Sequence, residues 1–171
     1  MRDTKFLIHE VFKIGDLLGK PPYQDHDADM INMVLTEAEK LTENEIAPTY
    51  PDEVNRKPVE ARFENGKVYA PESYKRLWQL YAEGGWLGTS DPYDVGGQGL
   101  PFIVSAAAAN MFLSGNQAFL MYPGLTTGAD RLVYDFFQHP LSEIILEKLF
   151  NGTWPGTMCL TQHGDGPDAG A

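Results

Sequence analysis

Histidine, cysteine and closely spaced acids are the side chains that could do chemistry in this chain, and their spacing suits little of it. His9, His26 and His139 have no second ligand at a metal-binding spacing, so no metal site is read from them. His139, before Pro140, reads as a helix-end residue, and His9 and His26 read as surface residues. Cys159 is the single cysteine, which rules out an internal disulfide framework. Its apolar, β-prone surroundings make it a buried small hydrophobe and not a nucleophile. Glu143, Glu147 and Lys148 read as a solvated helix face. The Gly96-Gly97-Gln98-Gly99 run lacks both a preceding strand and the G-x-G-x-x-G spacing, so by itself it is a turn-rich loop and not a nucleotide fingerprint. Trp78, Trp86 and Trp154 read as core or loop anchors. No catalytic residue is assigned.

Composition narrows the classes further. The chain has 171 residues, one domain by length, and 43% of them are hydrophobic, enough for a real core. The net charge of -11 and the absence of a Lys/Arg cluster exclude a nucleic-acid partner. No apolar stretch is long enough to insert in a membrane. The N-terminal segment is interrupted by His9, Glu10 and Lys13 and is no signal peptide. A reducing, cytoplasmic setting is expected.

The elements that must position any site read as helices. Phe6, Leu7, Val11, Ile14, Leu17 and Leu18 recur at helical spacing up to Gly19 and Pro21-Pro22. A second helix opens near Asp27 and Asp29, with Ile31, Val34, Leu35, Ala38, Leu41 and Ile46 on one stripe, and ends at Pro48 and Pro51. Asn65-Gly66 between Phe63 and Val68-Tyr69 signals a hairpin turn. Pro71-Glu72-Ser73 starts a third helix, with Tyr74, Leu77, Trp78 and Tyr81 on its apolar side, and Gly84-Gly85 stop it. After a glycine-rich loop, a fourth helix runs from about Phe102 to Leu113, where the alanines Ala106 to Ala109 allow a neighbouring helix to approach closely. The segment from Asn116 to Phe137 is apolar enough to be buried nearly all round. His139-Pro140 breaks it, and a last helix runs from Ser142 to Asn151-Gly152. Thr157-Met158-Cys159-Leu160-Thr161 is β-prone and would start a strand. The expected fold class is all-α, an up-and-down helical bundle with a terminal β-prone segment.

Three segments, in this order and spacing, resemble one family. Gly84-Gly85-Trp86-Leu87-Gly88, then Asp91-Pro92-Tyr93 and Gly96-Gly97-Gln98-Gly99-Leu100-Pro101, resemble an interhelical loop of the acyl-CoA dehydrogenases. Ala118-Phe119-Leu120-Met121-Tyr122-Pro123-Gly124-Leu125-Thr126 is similar to the longer members of that family, the methylthiopropanoyl-CoA dehydrogenase-like subgroup. Gly152-Thr153-Trp154 and Thr157 to Thr161 resemble the family's first strand, which leads into T-E-P-x-x-G-(S/T)-D.

The resemblance implies an N-terminal extension over residues 1–22, a helical domain over 23–156, and over 157–171 either the start of a β-domain or an irregular tail. It implies FAD as cofactor, with Leu160 and Thr161 against the flavin ring, Met158 at the mouth between flavin and acyl chain, and Gly166 near the pyrophosphate or the acyl-CoA entrance. Tyr122, Gly124, Leu125 and Thr127 would line the acyl pocket, although apolar residues there also read as plain bundle core. It further implies a glutamate in a later helical domain as general base, electron-transfer flavoprotein as acceptor, and a homo-oligomer. The family's β-domain and C-terminal four-helix domain are not among these residues, so the chain is expected to be an N-terminal portion, inactive alone. The motif also departs from its pattern: Gln162-His163 replace Glu-Pro, Pro167 replaces the hydroxyl residue before Asp168, and Asp165 brings a negative charge toward a phosphate site. A second reading stands beside this one: a helical self-association or partner-binding module without catalysis.

Overall fold

The computed structural model describes residues 1–50, 61–159 and 161. Pro51 and the polar stretch up to Glu60 lie outside the described residues, as do Leu160 and everything from Gln162 onward. The architecture is all-α: α1 (Arg2–Phe6), α2 (Ala28–Leu41), α3 (Glu72–Glu83), α4 (Phe102–Gly115), α5 (Gln117–Phe136) and α6 (Ser142–Phe150), with one small hairpin, β1 (Arg62–Glu64) and β2 (Lys67–Tyr69).

Local chemistry sets most boundaries. Asp27 caps α2, its carboxylate accepting the Met30 N–H at 2.8 Å. In the hairpin Phe63 sits opposite Val68, and Asn65 and Gly66 both take positive φ, 52° and 76°, as a two-residue primed turn requires. Pro71 precedes α3 and needs no N–H there. At the α4–α5 joint the next helix starts at once, because Asn116 caps it: its Oδ1 accepts the Phe119 N–H at 3.1 Å.

Helix α4 is the central element. Val104, Ala108 and Phe112 lie on one of its faces and are buried. Two core clusters meet on it. One joins Ile8, Ile14, Ile31, Leu35, Leu100 and Val104; the other joins Ala38, Ile46, Leu77, Tyr81, Phe112 and Phe119. Met111 packs against both. The second cluster is aromatic, with Tyr81 and Trp86 edge-on to Phe112 at ring separations of 5.2 and 4.9 Å.

Four expectations change. The first helix is shorter than its apolar pattern: it continues past Phe6 as a wider turn over Leu7–Val11 and breaks at Lys13, whose φ is 49°. Only Ile8 and Ile14 of that segment are buried, while Phe6, Leu7, Val11 and Leu17 are exposed. The stripe reading fails because one short segment meets α2 and α4 through a narrow contact. Helix α5 is not buried all round: Phe119, Leu120, Pro123, Thr126 and Asp130 face inward, and Leu132 and Phe136 are exposed. Thr157 to Cys159 take no regular structure and Cys159 is exposed, since β-prone residues make a strand only beside another strand and the described sheet is the distant hairpin. His26 is not a surface residue. It is 3% exposed, stacked on Tyr93, with 3.2 Å between its Nε2 and the Tyr93 hydroxyl. The glycine-rich loop folds back over it, which no local signal announces.

Candidate functional site

The site begins with the loop that follows α3. Gly97 packs against the Asp91 carbonyl so closely that a Cβ there would stand 2.1 Å from that oxygen. Only glycine fits, and the loop can therefore double back on itself. Backbone bonds close it: Gln98 N–H donates to Gly88 at 2.8 Å, Gly99 to Asp91 at 2.8 Å and Leu100 to Thr89 at 2.9 Å. The Gln98 amide adds a bond to the Gly85 carbonyl at 2.7 Å. A rigid edge results, running alongside the N-terminal half of α4.

Between this edge, α4 and α5 lies a groove of about 530 Å³. Its walls are Thr89 and Ser90 from the loop, Ala106 and Ala109 from α4, and Gly124 and Thr127 from α5. Phe112, Leu120 and Trp86 form its apolar floor. Of the alanines that suggested a close helix approach, Ala106, Ala108 and Ala109 all line the groove and give it its width, and Ala108 is also buried against the core. Gly124 has the same effect, for a Cβ at that position would meet nothing within 4 Å. Pro123 before it carries no N–H for the carbonyl four residues back.

Of the acyl-pocket residues expected on α5, Gly124 and Thr127 share this groove. Tyr122 lies on another side, edge-on to Tyr74 at 5.9 Å, in a separate cleft of about 420 Å³ with Trp78 and Pro155. Leu125 is half-buried and lines neither. Helical geometry explains the division. Residues 124 and 127 are three apart and share a face, as do 122 and 125, but the two pairs point in different directions.

The residues expected around a flavin are dispersed or exposed. Met158 is 67% exposed and Thr161 is exposed, and neither belongs to the two cavities above. Leu160 and Gly166 lie outside the described residues. No described residue offers an enclosed polar cradle at this end, so the described part does not by itself fit FAD. Nor is any group of three or more His, Cys, Asp or Glu among the described residues arranged to hold a metal.

A buried carboxyl pair was missed by the sequence reading. Asp91 is 4% exposed and Asp130 is fully buried. Burial pushes the Asp130 carboxyl up to about 8, and the nearby Asp91 charge adds to it. Burial raises Asp91 as well, against the pull of the Arg131 guanidinium. Neither Asp130 oxygen has a hydrogen-bond partner among the described residues. A signal for Asp130 was present: it continues the spacing of Phe119, Pro123 and Thr126, which is the buried stripe of α5.

No protein-family model matches the chain. Curated relatives do, and they name one class of enzyme. The chain is 32% identical over 170 residues to 3-methylmercaptopropionyl-CoA dehydrogenase of Ruegeria pomeroyi, an alignment covering 98% of this chain and 28% of that protein. It is 29% identical over 173 residues to a butyryl-CoA dehydrogenase of Syntrophomonas wolfei, covering 99% of this chain and 28% of the relative. A broad-specificity linear acyl-CoA dehydrogenase of Mycobacterium tuberculosis is 29% identical over 171 residues, again 28% of its length. The chain is therefore related to the acyl-CoA dehydrogenases along nearly all of its own length, and it spans 28% of the length of these relatives. Among the described residues, no helix is long and apolar enough to cross a membrane.

Proposed function

We propose that this chain is the N-terminal helical part of an FAD-dependent acyl-CoA dehydrogenase, which oxidises the α,β carbon–carbon bond of acyl-CoA thioesters. One observation carries the reading: 98% of the chain aligns with a relative named for acyl-CoA dehydrogenation. The groove supports it, since walls of alanine, glycine and phenylalanine with a few hydroxyls suit an alkyl chain better than a polar ligand. In this reading Gly124 and Thr127 contact the acyl chain, electrons leave to an electron-transfer flavoprotein, and the protein works as a homo-oligomer in the cytoplasm. The 171 residues do not turn over alone, because none of them is assigned as the general base.

A chimera tests this directly. The chain replaces the aligned segment of the Ruegeria pomeroyi dehydrogenase, and acyl-CoA oxidation is followed with an artificial electron acceptor. Turnover is expected, and Gly124→Leu, which projects a side chain into the groove, lowers it without destabilising the fold. A folded, flavin-loaded chimera without turnover overturns the reading. Robust turnover by the isolated chain with added FAD overturns the claim that it is inactive alone.

One observation favours the second reading, a self-association or partner-binding module. Leu132, Phe136, Phe137, Leu141 and Ile144, around α5 and α6, are 62, 77, 42, 50 and 50% exposed. Sedimentation of a concentration-independent monomer that binds no hydrophobic dye would remove it.

A further inference from the structure

The α5 wall of the groove is built from poor helix formers. Pro123, Gly124, Thr126, Thr127 and Gly128 fall within six positions of the sequence. Proline, glycine and β-branched residues are among the least favourable in a helix interior. Pro123 also leaves the Phe119 carbonyl without its usual donor four residues on. Gly124 and Gly128 have no side chain to pack, and a Cβ at either position would meet nothing within 4 Å. Yet this stretch supplies Gly124 and Thr127 to the groove.

A strap on another side of the helix holds the stretch in place. Residues 152–156 run from the end of α6 across α3 to α5. The start of the strap is fastened to α3 and α6: Trp78 Nε1 donates to the Gly152 carbonyl at 2.8 Å, and the Trp154 N–H donates to the Lys148 carbonyl at 3.0 Å. A Cβ on Gly152 would stand 2.6 Å from that of Ala82, so α3 is met at close range. Pro155 then lies in the cleft formed by Tyr74 and Trp78 on α3 and by Phe119 and Tyr122 on α5. At the far end the Gly156 N–H donates to Thr126 Oγ1 at 3.0 Å. A Cβ on Gly156 would stand 2.5 Å from that of Ala129 and 3.0 Å from the Thr126 Cα, so the strap touches α5 across almost a full turn. Thr126 is 0% exposed, and its hydroxyl gives its own proton to the Tyr122 carbonyl at 3.0 Å, which leaves its oxygen free to accept from the strap. Among the described residues, the other hydrogen bond that reaches residues 123–128 from outside α5 is Thr127 to the Leu87 carbonyl, at a long 3.4 Å.

We infer that the strap is a splint for the groove: Thr126 and Gly156 are positioning residues that hold the proline- and glycine-weakened wall of α5, so that Gly124 and Thr127 meet the ligand in a fixed arrangement. That this ligand is an acyl chain rests on the function proposed above, whereas the splint itself does not.

Hydrogen exchange of the 171-residue chain tests the splint, with the amides of Thr127, Gly128 and Ala129 in α5 compared with those of Ala108 and Phe112 in α4. Thr126→Val, which keeps the shape and removes the acceptor, is expected to lower protection in α5 by about tenfold and to leave α4 unchanged. Thr126→Ser, which keeps the acceptor, should lose less than about threefold. Gly156→Ala, which pushes the strap off Ala129, should match Thr126→Val. Unchanged protection in Thr126→Val and Gly156→Ala, or an equal loss in α4, overturns the splint. Should Thr126→Val fail to fold, Gly156→Ala decides by the same comparison, because the strap lies outside the core clusters. In the Ruegeria pomeroyi chimera, with octanoyl-CoA as substrate, Thr126→Val should raise KM by about fivefold, change kcat by less than about twofold, and be rescued by Thr126→Ser. An unchanged KM overturns the positioning role. A folded chimera that does not turn over even with the native Thr126 refutes the acyl-CoA reading instead, and the exchange result then judges the splint alone.

Discussion

Helix α5 buries one polar residue at its start and another near its end, and the surroundings treat them in opposite ways. Asn116, 1% exposed, is fully engaged in the joint: its Oδ1 accepts from the Phe119 amide and from the Tyr74 hydroxyl at 3.3 Å, and its Nδ2 donates to Thr49 at 2.9 Å. Asp130, equally buried, receives no hydrogen bond from any described residue. Burial alone therefore says nothing about what a polar group contributes. A satisfied one fixes a joint, whereas an unsatisfied one holds a cost that a proton can raise or lower.

The sharpest way to break the first half of the comparison is Asn116→Ala. It removes the cap and leaves the Tyr74 hydroxyl and the Phe119 amide without their acceptor, so urea denaturation should show a loss of about 3 kcal/mol. Gly97→Ala attacks the second half from the loop side. Its Cβ would overlap the Asp91 carbonyl, and a cost of about 2 kcal/mol is expected, with weakened exchange protection confined to the loop. Asp130→Asn sharpens the comparison through pH. The folded-state value, about 8, lies above the ordinary 3.8, so the stability tied to this group is complete below about pH 4 and is lost as pH rises toward about 8. Denaturation midpoints of wild type and Asp130→Asn should then diverge steadily across that window, the variant being the more stable at the alkaline end. Arg131→Ala should matter least: the exposed pair with Asp135 contributes about 0.5 kcal/mol or less, and a larger loss would mean that the guanidinium does compensate the buried acids.

The contrast also marks what could be read in advance. The opening of α2 near Asp27, the Asn65-Gly66 turn, the start of α3 at Pro71 and the stripe of α2 were all legible, and the structure has them where the residues announce them. The four residues read as lining one pocket on α5 divide in the structure: Gly124 and Thr127 line the groove, whereas Tyr122 and Leu125 lie on another side of the helix, a division that the rotation of the helix sets.

By itself, then, the chain's sequence determined the helices after the first, most of their ends and the hairpin, because caps, prolines and glycines act through atoms only a few residues away. It also carried the kinship with acyl-CoA dehydrogenases, which the 32% identity over 98% of the chain supports. The spacing along α5 puts Asp130 on its buried stripe, but what surrounds each buried polar group was decided by the tertiary structure alone. His26 lies beneath a loop some 67 residues further on, Asn116 joins segments 42 and 67 residues away, and Asp130 is enclosed where α5 meets that same loop. Burial and its electrostatic cost depend on the sum of distant surroundings, and no local pattern of residue types carries that sum.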